Sequence, residues 1–131
     1  MSFFFSFLGY LSFRKLSKLN NNKKIIFYSE SKNYRNYFID LIEDLKNNTN
    51  FSIIYLTSDK NDTQKIGKLI EPIYIGDNFF RILVFTFLKC DLLIMTLTDL
   101  GNHIIKKSNK CKNYLYIFHS LVSTLVWFFN N

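Results

Sequence analysis

Ile25-Ile26-Phe27-Tyr28 is a continuous apolar run that ends in the polar pair Ser29-Glu30. Unbroken apolarity of this kind marks a strand covered on both faces, as in a parallel sheet, rather than one with a wet side. Outward from this run the chain alternates. Tyr34, Tyr37, Phe38, Leu41, Ile42 and Leu45 recur at helical spacing and predict an inward helix face, with Asn47-Asn48 as its C-cap. Residues 51–56 read as a second strand. A weaker helix is expected next, with Asp62 as N-cap and Ile66, Leu69 and Ile70 facing inward. Pro72-Ile73-Tyr74-Ile75 reads as a short third strand, because proline is tolerated at a strand start. Residues 78–89 are apolar nearly all round and predict a central helix, and residues 92–96 and 114–118 supply the fourth and fifth strands. Such alternation predicts right-handed βαβ units, and so an α/β fold of Rossmann-like, doubly wound type with a mostly parallel sheet.

Composition agrees with one folded domain. The 131 residues are 48% hydrophobic and 18% aromatic, which excludes a disordered chain. The net charge of +7 points by itself to an anionic partner. The chain also lacks alanine and is rich in Lys, Asn, Ile, Phe and Tyr, the residues of AT-rich codons. Part of the basicity therefore needs no partner, and no nucleic-acid partner is expected. Cys90 and Cys111 form no CxxC pair and have only His103 and His119 as further soft ligands. No metal site follows from that set, and the expected arrangement is a buried Cys90 with an exposed Cys111. No GxGxxG or P-loop occurs, so no nucleotide cofactor is expected.

The N-terminus runs Phe3-Phe4-Phe5-Ser6-Phe7-Leu8-Gly9-Tyr10-Leu11-Ser12-Phe13 and turns basic at Arg14, Lys15 and Lys18. This is roughly half the ~20 residues that span a bilayer. Its charges follow the apolar stretch, the reverse of a signal peptide. Two readings stay open: a segment lying in the interface of an anionic membrane, or a helix packed on its own domain. The run from Phe79 to Thr98 contains Arg81, Lys89 and Asp91, which argues against a span. The expected layout is an aromatic, basic segment with linker at 1–22, a Rossmann-like domain at 23–124, and an apolar tail at 125–131 that reads as truncated or frame-shifted. A cytoplasmic location, peripheral on the inner face of the cell membrane, fits that layout.

In open α/β sheets ligands bind beyond the carboxyl ends of the strands. The five expected strands end in Ser29-Glu30, Thr57-Ser58-Asp59, Gly76-Asp77, Thr96-Leu97-Thr98-Asp99 and His119-Ser120, so each opens onto polar groups. His119 directly precedes Ser120-Leu121-Val122-Ser123-Thr124, which reads as a helix start. An imidazole there sits beside helix N–H groups able to hold a phosphate, and its ordinary pKa suits a general base. A strand-end histidine bonded only to backbone has the same position. Lys106, Lys107, Lys110 and Lys112 read either as a contact for lipid or polymer phosphates or as a solvated loop.

The stretch Cys90-Asp91-Leu92-Leu93-Ile94-Met95-Thr96-Leu97-Thr98-Asp99-Leu100-Gly101-Asn102, with Lys106-Lys107-Ser108 and Tyr114 to Thr124, resembles the CDP-glycerol glycerophosphotransferase family, which includes teichoic-acid primases and polymerases. The likeness runs from about Lys23 to Thr124 and is most specific at His119-Ser120-Leu121-Val122-Ser123-Thr124. It implies the N-terminal half of a two-domain GT-B transferase, acting on a hydroxyl acceptor or an anionic polymer. His119 would be the base that activates the acceptor, and Asp99 and Ser120 are candidates to orient it. Thr98 stands where relatives often have Pro, and Ser120 where the polymerases have Gly. The C-terminal half of such enzymes binds CDP-glycerol, and nothing in this chain matches it. The rival reading is a non-catalytic Rossmann-like binding or membrane-associated module. A phospho-acceptor receiver domain fits poorly, because only Glu30 and Asp77 are available for its acidic cluster and no lysine follows the fifth strand.

Overall fold

Five strands form one parallel sheet whose central members, β1, β2 and β4, carry apolar runs buried on both faces. The computed structural model describes residues 2–18, 23–66, 70–76, 79–97 and 105–117. In chain order the elements are α1 (Ser2–Lys18), β1 (Lys24–Ser29), a 3₁₀ turn (Lys32–Tyr34), α2 (Asn36–Asn48), β2 (Ser52–Thr57), β3 (Ile73–Tyr74), α3 (Phe79–Phe87), β4 (Cys90–Met95) and β5 (Cys111–Tyr116). The sheet order is β3-β2-β1-β4-β5, with every pairing parallel. The chain thus builds outward from β1 on one side, then crosses back through α3 to begin β4 on the other. This is the Rossmann-like, doubly wound architecture.

Period-two alternation divides the core into two layers. Ile26, Tyr28, Leu56, Leu93 and Met95 face α3 and the Phe13 end of α1, and pack with Val84, Phe85 and Leu88. Ile25, Phe27, Tyr55 and Ile94 face the other way, against Phe38 and Ile42 of α2. Each fully buried aromatic contributes roughly 1.5–3 kcal/mol over its exposed state. Edge-to-face contacts add direction: Tyr28 meets Phe85 at 4.8 Å between centroids, and Phe27 meets Phe38 at 5.5 Å.

α2 begins at Asn36 and is capped by Thr49, so Tyr34 lies in the preceding 3₁₀ turn and Asn47-Asn48 are still helical. Tyr37, expected inside, is half exposed, and the buried face is Phe38 and Ile42. No helix follows β2 among the described residues. Instead, Ile66 and Ile70 exchange both backbone hydrogen bonds, at 2.8 and 3.0 Å, as a tight antiparallel bridge. Both isoleucines are buried as expected, Leu69 lies outside the described residues, and Asp62 is a buried ion-pair partner rather than a helix cap.

Cys111 is also buried, not exposed. It is the register partner of Cys90 on the neighbouring strand, and the two sulfurs lie 3.2 Å apart. Burial, then the neighbouring thiol, pushes the Cys90 thiol far above its ordinary pKa. The same end of the sheet is tied by Asp91, which accepts from the Lys24 backbone N–H at 2.8 Å and pairs with Lys112. Of the four loop lysines, Lys112 is therefore engaged, and Lys107 lies over the Tyr114 and Tyr116 rings at 5.5 and 5.8 Å.

α1 packs against β3 and α3 through an unusual stripe: Ser6, Gly9, Tyr10 and Phe13. Gly9 is required by close approach, because a Cβ at this position would overlap the Tyr74 carbonyl oxygen. Glycine to alanine inside a helix ordinarily gains about 1 kcal/mol. Here the overlap forces α1 outward at a cost of roughly 1–3 kcal/mol. Gly9→Ala is therefore expected to lower Tm, and a rise in Tm would refute the close approach.

Candidate functional site at the carboxyl rim of the sheet

All five strands point the same way, so their carboxyl ends share one rim, and the strand order reverses between β1 and β4. β1 delivers Ser29 and Glu30, β2 delivers Thr57, Ser58 and Asp59, β3 leads to Gly76, and β4 leads to Thr96. The chain reaches the rim beside β4 at Ile117, whose N–H donates to the Met95 carbonyl at 2.8 Å. Gly76 has a φ of 73°, a left-handed turn that glycine adopts without strain. That turn aims its carbonyl back at Ser58.

Ser58 has a single hydroxyl proton, which goes to the Gly76 carbonyl; the 2.7 Å contact from Tyr28 is then one that Tyr28 donates. Burial raises the Tyr28 pKa, with Ser58 and Arg81 partly opposing it, so the phenol stays neutral and donating. Asp59 bridges two loops. Its carboxylate accepts from the Lys32 N–H and the Asn61 N–H, both at 2.9 Å. Those two backbone bonds hold the Asp59 carboxyl below its ordinary pKa. Asp59 is thus a fixed anion that braces the rim, not a base. A depressed folded-state pKa contributes stability above the unfolded value and loses it as pH falls through the folded value. Carboxyl NMR should show Asp59 titrating below an ordinary aspartate, and Asp59→Asn should weaken the acid-side fall in stability.

Glu30, Ser31, Ser58, Asp59, Lys60 and Tyr74 line a polar pocket of about 420 Å³ at this rim. On its β4 side, Arg81 from the first turn of α3 lies 3.8 Å from Glu30. Among the described residues the Arg81 Nε and the Thr96 hydroxyl, both buried, have no hydrogen-bond partner. Unpaired buried polar atoms are uncommon, and these two belong to the elements flanking the point where the strand order reverses.

His119, Asp99 and Ser120 lie outside the described residues, as does Asp77. The sequence reading missed Arg81, which it took only as a charge unsuited to a membrane span. Its signal was available, since it follows the two phenylalanines that open the helix leading into β4. Among the described residues no group of three His, Cys, Asp or Glu side chains is placed to hold a metal ion. Comparison of the chain with protein-family models, with curated proteins and with solved structures found no match. The class the geometry defines is a Rossmann-like α/β domain with a polar carboxyl rim.

Proposed function

We propose that this chain is the acceptor-side domain of a GT-B glycerophosphotransferase that builds a cell-surface polymer from the inner face of the membrane. The acceptor hydroxyl oxygen attacks the β-phosphorus of CDP-glycerol, the bond to CMP breaks, and His119 takes the hydroxyl proton. Asp99 or Ser120 orients that histidine or the acceptor. The donor is bound by a second domain of such an enzyme, for which residues 1–131 offer no match.

The observation that carries this reading is the shared rim. The segments bearing the family resemblance include β4 and β5, and both leave the sheet at the edge where Ser29, Glu30, Ser58 and Asp59 gather. A second reading, binding without turnover, is favoured by Asp59, whose two carboxylate oxygens are already occupied by backbone N–H donors.

Transfer depends on positioning donor and acceptor together and neutralising developing charge. The isolated chain is therefore expected to release no CMP from CDP-glycerol. Joined in frame to a donor-binding half of the family, it should release CMP only when acceptor is present. A joined enzyme that folds and binds donor yet releases none would leave the binding module as the better reading.

A further inference from the structure

α1 buries only part of its apolar surface against the domain. Its inward stripe opens with two small residues, Ser6 and Gly9, the latter against Tyr74 of β3, and continues with Tyr10 and Phe13, while Phe4, Phe5 and Leu11 point away from the domain. Phe4 is 59% exposed, Phe5 54% and Leu11 43%. Phe3 and Phe7 are also exposed, although their rings lie 4.9 and 5.9 Å from Phe80. Phe79, beside that ring on α3, is 58% exposed. The apolar surface continues past Phe5 and Leu8 into a groove of about 1020 Å³ against Ile70, Pro72 and Ile73. A contiguous aromatic surface of this kind marks an interaction site rather than ordinary surface scatter.

Charge selects the occupant. The last turn of α1 carries Lys15 and Lys18, both exposed, and Arg14 lies one position earlier. No acidic residue occurs anywhere before Glu30. Apolarity therefore runs along the helix axis, with phenylalanines at the N-terminal end and bases at the C-terminal end. An amphiphilic surface with an anionic polar layer and an apolar interior meets both ends at once. A protein partner would have to supply an acidic patch and an apolar patch at that same spacing.

We propose that the phenylalanine end of α1, with Phe79 of α3, inserts into the interface of an anionic bilayer, while Lys15 and Lys18 hold the phosphate head groups. The insertion has a direction. Phe79 and Phe80 immediately precede Arg81, whose guanidinium reaches Glu30 at the carboxyl rim. The inserted end is thus the rim end of the domain, and the pocket at Glu30, Ser58 and Asp59 is held at head-group level. This inference deepens the membrane-face part of the proposed function and names the surface that makes the contact.

Full-length chain is mixed with phosphatidylcholine vesicles, with or without phosphatidylglycerol, and sedimented. Wild type should pellet with the phosphatidylglycerol vesicles and be released by salt, because its lysine contribution is screened. Lys15→Glu with Lys18→Glu should weaken binding on the order of 10-fold or more. Phe4→Ser, Phe5→Ser and Leu11→Ser together should abolish it, with circular dichroism and Tm confirming that these exposed changes leave the fold intact. Wild type that stays in the supernatant, or that binds neutral vesicles equally well, overturns the proposal. A dimer in sedimentation equilibrium that the triple serine variant dissolves also overturns it, in favour of a self-association surface. The assay contains neither CDP-glycerol nor acceptor, so its outcome and that of the CMP experiment stand apart.

Discussion

Asp62→Ala is expected to destabilise the domain by about 3–5 kcal/mol, a large share of the roughly 5–15 kcal/mol that a domain possesses. The Asp62 side chain is fully buried and serves two partners. Its Oδ1 lies 3.1 Å from Arg35 Nη1, and its Oδ2 accepts from the Tyr55 hydroxyl at 2.7 Å. Arg35 spends its other Nη on the Lys65 carbonyl at 2.7 Å. Alanine would strand a nearly buried guanidinium and a buried phenol together. In the folded protein burial, and then the Asp62 carboxylate, push the Tyr55 pKa far above its ordinary value, so the phenol is a neutral donor to Asp62.

The same network holds the crossover between β2 and β3, which carries no helix among the described residues. Asp62→Asn should cost less than alanine, since the amide oxygen still accepts from Tyr55. Replacing Arg35 and Asp62 together by apolar residues should recover much of the loss, as buried ion pairs commonly allow. Urea unfolding checks all three variants. A loss below about 1 kcal/mol for Asp62→Ala would mean that water reaches the guanidinium and that the pair is ornamental.

His119→Ala, in the chain joined to a donor-binding half, is expected to lower kcat by roughly 10²–10⁴, the usual worth of a positioned general base. A base must lie near the acceptor oxygen, and β5 carries the chain to the rim beside β4 two residues before this histidine. Loss of the base should act on kcat more than on KM and should remove the acid-side limb of the pH–rate profile, where protonating a general base stops the reaction. A joined enzyme that turns over unchanged without His119 would remove the catalytic assignment while leaving the fold reading untouched.

The strands were legible because parallel strands buried on both faces read as continuous apolar runs, and Ile25 to Tyr28 is such a run. The helix after β2 was misread for a definite reason. Residues four apart share a helix face, yet they can also pair with each other as an antiparallel bridge, and Ile66 with Ile70 does the latter. Cys111 was misread because it stands between Lys110 and Lys112. Period two resolves that pattern: the lysines point out and the cysteine in, so β5 starts earlier than its apolar residues suggest. The carboxyl rim was legible from the polar residues after β1 and β2, Ser29-Glu30 and Thr57-Ser58-Asp59. The Arg35–Asp62 and Arg81–Glu30 pairs were not, because each joins side chains far apart in sequence that only the crossovers bring together.

The thiol pair provides a built-in reporter on the outer strand. Cys90 and Cys111 sit at the start of β4 and β5, at the far end of the sheet from the rim. Both are buried, and the elevated Cys90 pKa leaves almost none of that sulfur as thiolate. An alkylating reagent therefore reaches the pair when the packing around it, which includes Leu88, Ile105 and Tyr114, opens locally, so the labelling rate reads the frequency of that opening in the otherwise folded protein. Because the pair is remote from the rim, labelling can be followed with acceptor, nucleotide or vesicles present, and any slowing would report how firmly each closes that packing.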